Sequence, residues 1–137
     1  MSVGIVIVQR GGNLVKKNYH VSFFEKENGT FPAEEFINSL DDKVAAKIYR
    51  VLGMVENNGP ELREPYSKHL DDGIFEVRAQ VGTNLARVLY FFIVGKRVIA
   101  THGFTKKTQK TPPSEIKRAK DYRKIFLEQE AHKNENT

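Results

Sequence analysis

The stretch Leu85-Ala-Arg-Val-Leu-Tyr-Phe-Phe-Ile-Val94 constrains the fold of this chain more than any other. It is apolar on both alternating faces except at Arg87, the pattern of a central strand. Gly82-Thr83-Asn84 precedes it as a turn, and before that Ile74–Val81 alternates strictly. Phe75, Val77 and Ala79 fall on one face there, and Glu76, Arg78 and Gln80 on the other. Gly95-Lys96 turns the chain again, and residues 97–104 form a third strand of an antiparallel meander.

The flanking segments follow a helical period. Residues 19–25 read as a first strand, closed by Asn28-Gly29. Pro32 opens a short helix with Glu34 and Glu35 at its positive end and Phe36, Ile37 and Leu40 on its buried face. Asp41-Asp42 start a second helix running to Asn57. Its Val44, Ile48, Val51, Leu52 and Val55 make an apolar stripe, and Asn58-Gly59-Pro60 stop it. Pro112-Pro113 open a last helix lined by Ile116, Ala119, Tyr122 or Arg123, and Phe126.

The expectation is a small α+β domain, β-α-α-β-β-β-α. Its antiparallel sheet carries two N-terminal helices and a C-terminal one, with helices on one face and the Glu76/Arg78 face left open. Residues 19–130 form this domain and 131–137 a frayed tail. Residues 1–18 are expected to be an N-terminal extension, either an extra strand over the apolar residues 3–8 or disordered. That run is too short for a signal-peptide core, and nothing approaches the roughly 18 apolar residues of a membrane span. A cytoplasmic, membrane-free protein is expected.

Zero cysteines exclude a disulfide framework, a thiolate metal site and a cysteine nucleophile. His20, His69, His102 and His132 have no metal-ligand spacing, and no phosphate-loop, dinucleotide or serine-hydrolase motif occurs. Neither a metal nor a cofactor is expected. The carboxylate pairs Glu34-Glu35, Asp41-Asp42 and Asp71-Asp72 sit where caps and turns explain them.

Charge is distributed unevenly. The net charge is +5, yet residues 73–124 carry 12 basic and 3 acidic side chains. Such a block suits a polyanion, or equally a solvated lysine-rich surface. Arg87 interrupts an apolar strand, and pairing across the 82–84 turn sets it nearly opposite Arg78. Like charges so placed oppose each other unless an anion lies between them or an acidic neighbour such as Glu76 neutralises them. Lys106, Lys107 and Lys110, with the hydroxyls of the same loop, precede a helix start and make a plausible phosphate cradle. Lys68 and His69 precede the first meander strand. Tyr90 and Phe104 read either as core or as stacking platforms for bases.

The segments Lys68-His-Leu, Gly73-Ile-Phe-Glu-Val-Arg78, Arg87-Val-Leu-Tyr-Phe-Phe92 and His102-Gly-Phe-Thr-Lys-Lys-Thr-Gln-Lys-Thr-Pro112 resemble the phage-type HigB-like branch of the RelE/ParE toxin superfamily. The resemblance covers about residues 19–127. It implies helices packed on an antiparallel sheet whose concave face is catalytic. It also implies the toxin of a type II toxin–antitoxin pair, a metal-free endoribonuclease that cuts mRNA, often in the A site of the 70S ribosome. The partner implied is a helix-turn-helix antitoxin.

RNA carries its own nucleophile, the 2′-hydroxyl. The protein need only assist its deprotonation, stabilise the charged phosphorane and protonate the leaving 5′-oxygen. On that reading Arg78 and Arg87 bind the phosphate, and Lys106 and Lys107 move protons. Lys68 is an RNA contact or alternative base. His69, Tyr90 and Lys110 join it as RNA contacts, and His102 and Phe104 match the aromatic or histidine such toxins carry near the end of the third strand. The alternatives are a ParE-like toxin acting on gyrase and a non-catalytic prophage protein that binds nucleic acid.

Overall fold

A computed structural model describes residues 18–135. The expected strand at residues 3–8 lies outside the described residues. The elements are β1 (His20–Phe23), α1 (Pro32–Asn38), α2 (Asp42–Asn58), a 3-10 turn (Gly59–Glu61), β2 (Ser67–Asp71), β3 (Ile74–Val81), β4 (Asn84–Ile93), β5 (Arg97–Lys106) and α3 (Pro113–Glu135). They form one α+β domain around a five-stranded sheet of order β1-β5-β4-β3-β2, consistent with a RelE-like fold. Among the described residues no helix is long and apolar enough to cross a membrane.

The structure departs from expectation in four places. β2 is an additional strand, antiparallel to β3, whose alternation is hidden because it is a short edge with Ser67 alone buried. β1 joins the far edge parallel to β5, so the sheet is an antiparallel meander with one parallel strand added. The helices cover both faces rather than one. Val77, Ala79, Ala86, Val88, Tyr90, Val98 and Ala100 pack with α1 and α2. Ile74, Leu89, Phe91 and Ile99 pack under Ala119 and Phe126 of α3. The physical reason lies in β4 itself: an apolar strand on both faces leaves neither face to water, and α3 closes the second. The last helix also continues past Glu130, to Glu135.

Local chemistry fixes the turns that aim the site. Asp72 (φ 48°) and Gly73 (φ 77°) make the two-residue β2–β3 hairpin, with both central residues left-handed as a type I′ turn demands. From α3, Lys120 reaches Asp71 at 2.6 Å and Arg123 reaches Asp72 at 2.9 Å, tying this hairpin to the helix. A register shift opposite Leu89 and Tyr90 leaves Thr101 as an extra residue in β5. It resets the alternation so that His102, Phe104 and Lys106 share the face of Arg87.

Gly103, on the opposite face, lets the α1 helix approach. A Cβ there would collide with the Phe36 ring and stand 2.7 Å from the Arg87 carbonyl oxygen. Because one obstacle is backbone of the central strand, Gly103→Ala is expected to cost about 1–3 kcal/mol. A shifted denaturant midpoint with an unchanged m-value checks this.

Candidate nucleic-acid interface

Three charged side chains meet on the α3 side of the sheet. Register sets Arg78 directly opposite Arg87, and Glu76 between Lys68 on β2 and Leu89 on β4. Glu76 and Arg87 are fully buried. Glu76 accepts hydrogen bonds from Arg78 Nε and from Thr111 Oγ1. Arg78 also donates Nη2 to the Gln109 carbonyl at 2.7 Å and Nη1 to Gln109 Oε1 at 3.4 Å. Arg87 donates Nη1 to Thr111 Oγ1 at 3.2 Å and Nη2 to the Thr108 carbonyl, and it lies 5.5 Å over the Phe104 ring. Both guanidiniums are therefore fastened to the loop between β5 and α3.

One carboxylate facing two guanidiniums leaves this cluster with a net positive charge. Burial lowers the Arg87 pKa, Glu76 raises it and Arg78 lowers it further; arginine remains charged through such shifts. Like charges on facing strands are tolerated here because Glu76 and the loop carbonyls supply the opposing partial charge.

Above the cluster opens a groove of about 790 Å³. It runs between β2, β3 and the approach to α3, and its walls include Lys68, His69, Arg78, Gln80, Gln109 and Lys110. Lys68 and Lys110 are exposed, and His69 receives the Gly73 N–H at its Nε2 at 3.2 Å. The groove thus joins hydrogen-bond donors of several kinds over a cationic floor, a surface suited to phosphodiester oxygens. Among the described residues no group of His, Asp and Glu side chains is arranged to hold a metal ion.

A family profile described as Phage derived protein Gp49-like (DUF891) matches residues 34–124. The matched span runs from α1 through the entire meander and the loop into α3. The chain belongs to the phage-derived Gp49-like family, a RelE/toxin-like family of toxin–antitoxin systems. No curated protein matches it.

The Gp49-like chain gathers only part of the set expected from sequence. Lys68, His69, Arg78 and Lys110 line the groove. Lys106 ends β5 opposite Leu85, and Lys107 follows it; both are exposed and neither is among the groove-lining residues. Four others are in the interior. Arg87 lies under the loop. Phe104 is largely covered beneath Arg87's guanidinium. Tyr90 is fully buried on the α1/α2 face, hydrogen-bonded to Ser67, and burial pushes its pKa up to about 12. His102 is buried between Thr101 Oγ1 and Glu115, each at 3.1 Å. Alternation gave the parity of these positions but not the cover that α3 and the loop supply. Gln109 and Thr111 were visible only as members of a polar run.

Much of the basic block is spent within the Gp49-like fold. Arg97 pairs with Glu130 at 2.6 Å, Lys117 with Asp121 at 2.8 Å, and Lys120 and Arg123 with the hairpin aspartates. These pairs orient α3 and its surface. The exposed cations Lys68, Lys106, Lys107 and Lys110 lie nearer the groove.

His102 gives the fold an acid sensitivity. Burial lowers its pKa from the ordinary 6.5, opposed by Glu115, while Arg118, 3.9 Å from Glu115, adds a smaller lowering. The folded chain then binds fewer protons at this site than the unfolded one, so stability rises with pH through the interval. It is full above the unfolded value of 6.5 and declines as pH falls from there toward the folded pKa. Melting temperature is expected to fall below that point in the parent, and His102→Asn to flatten this part of the profile.

Proposed function

We propose that this chain is the toxin of a type II toxin–antitoxin pair and an endoribonuclease that cleaves mRNA, with the ribosomal A site as its working place. One observation carries the reading: an open groove whose Arg78 floor is backed by a buried cluster of net positive charge, with lysines on its walls. Such a site attracts a phosphodiester backbone and stabilises additional negative charge on it.

In the reaction the substrate's 2′-oxygen attacks the adjacent phosphorus while its proton passes to a base. The bond to the 5′-oxygen breaks, and that oxygen takes a proton. The products are a 2′,3′-cyclic phosphate and a 5′-hydroxyl. Arg78 is assigned to the phosphorane, Lys110 to the flanking backbone, and Lys68 or His69 to proton transfer, on the strength of their places along the groove. Lys106 and Lys107 are assigned to the approaching strand, where exposed charge raises the association rate. The HigB-like subgroup, the cytoplasmic setting and a helix-turn-helix antitoxin as partner belong to the same proposal.

Expression in a bacterial host tests the reading. Growth arrest is expected with mRNA cut at mapped positions and DNA intact, and the adjacent reading frame is expected to encode a helix-turn-helix antitoxin whose co-expression restores growth. Arrest with broken DNA and whole mRNA would instead identify a gyrase poison.

A further inference from the structure

Arg87 makes no contact that a substrate could share. It is fully buried, it is not among the groove-lining residues, and both its terminal nitrogens are engaged by the loop. Those two bonds end on Thr108 and Thr111, the residues that bracket Gln109 and Lys110. Gln109 is the residue seated on Arg78, and Lys110 is a wall of the groove. A planar guanidinium is suited to this because its fork holds two acceptors in a fixed relation, which an ammonium on a flexible stem does not. Thr111 closes the arrangement by donating its hydroxyl hydrogen bond to Glu76, which also holds Arg78.

We infer that Arg87 is a positioning residue: it clamps both ends of the Gln109–Lys110 segment and thereby sets Lys110 and Arg78 for the RNA phosphate. The inference rests on the nuclease reading for its kinetic consequence but not for its structural one. Charge accounting makes the clamp testable. Removing Arg87 leaves Glu76 and Arg78 as a balanced pair, still joined by Thr111, so no unpaired charge stays buried. Arg87→Met is therefore expected to fold.

The loop carries its own probe, since trypsin cuts after Lys106, Lys107 and Lys110. In the parent protein the clamp protects these bonds. In Arg87→Met and Thr111→Val, cleavage at these three bonds is expected to accelerate by about tenfold or more, with the melting transition still cooperative. In RNA cleavage both variants are expected to raise KM more than they lower kcat, and the double variant to be no worse than the poorer single one. Arg87→Lys separates charge from fork: it is expected to behave like Arg87→Met. Near-parental activity in Arg87→Lys would overturn the inference, as would unchanged tryptic cleavage in Arg87→Met or effects that multiply in the double variant. If the parent protein cleaves no RNA, the nuclease reading fails while the tryptic comparison still decides whether the clamp exists.

Discussion

Arg78→Ala is expected to lower RNA cleavage by about 100- to 1,000-fold, the loss typical of deleting one preorganised donor from a transition-state site. The argument turns on position. Among the described residues, Arg78 is the one guanidinium that both lines the groove and is held from below, by Glu76. Its other nitrogens contact Gln109 on an exposed loop, where substrate oxygens can replace them. The side chain is 18% exposed, which leaves it accessible yet substantially desolvated. Its removal leaves Glu76 with Thr111 and with the nearby charge of Arg87, so the fold is expected to survive. Single-turnover cleavage rates, read beside melting curves, check both halves of the statement. A variant that melts like the parent and cleaves like the parent removes Arg78 from the site.

The second large effect concerns the fold. Phe91 is 1% exposed at the centre of β4, faces Ile99 across the ladder and meets the Phe126 ring edge-on at 5.8 Å. It joins the meander to α3, and so fixes the element that follows the groove's loop. Phe91→Ala is expected to cost about 3–5 kcal/mol through lost burial and the cavity left behind. Typical domain stabilities are only about 5–15 kcal/mol, so that loss consumes much of the margin. Val94, 91% exposed in the next turn, supplies the contrast: Val94→Ala is expected to change stability by less than about 0.5 kcal/mol. Urea midpoints for the two variants test the contrast directly.

These two residues also show what a sequence can and cannot disclose. Phe91 was legible because the stretch 85–94 is apolar at every position but Arg87, and only a central strand buries such a run. The ends of β3, those of β4 to within one residue, the two N-terminal helices and the start of α3 followed from alternation, stripe and turn residues in the same way. β2 was not legible, since a five-residue edge with one buried side chain has too little period to read. The side of the sheet taken by α3 was not legible either, because an amphipathic helix states that it covers something without stating what. The same gap affected the site. Arg78 and Arg87 were rightly set opposite each other by strand pairing. Which of them water and a substrate can reach depends on a loop that crosses over Arg87 and stops beside Arg78. Long-range closure of that sort has no signature in local spacing.

The charge pattern was sharpened by the same route. A basic block suggested a polyanion, but ion pairs with Asp71, Asp72, Asp121 and Glu130 absorb several of its members into the fold. The exposed lysines around the groove and the net charge beneath it carry the functional argument.

The most direct test is to incubate the purified protein with a defined mRNA, free and bound to ribosomes, and to analyse the new ends. The account predicts fragments ending in 2′,3′-cyclic phosphate and beginning with 5′-hydroxyl, formed by the parent protein and lost in Arg78→Ala. Intact RNA in both settings, or fragments with 3′-hydroxyl and 5′-phosphate ends, would contradict it.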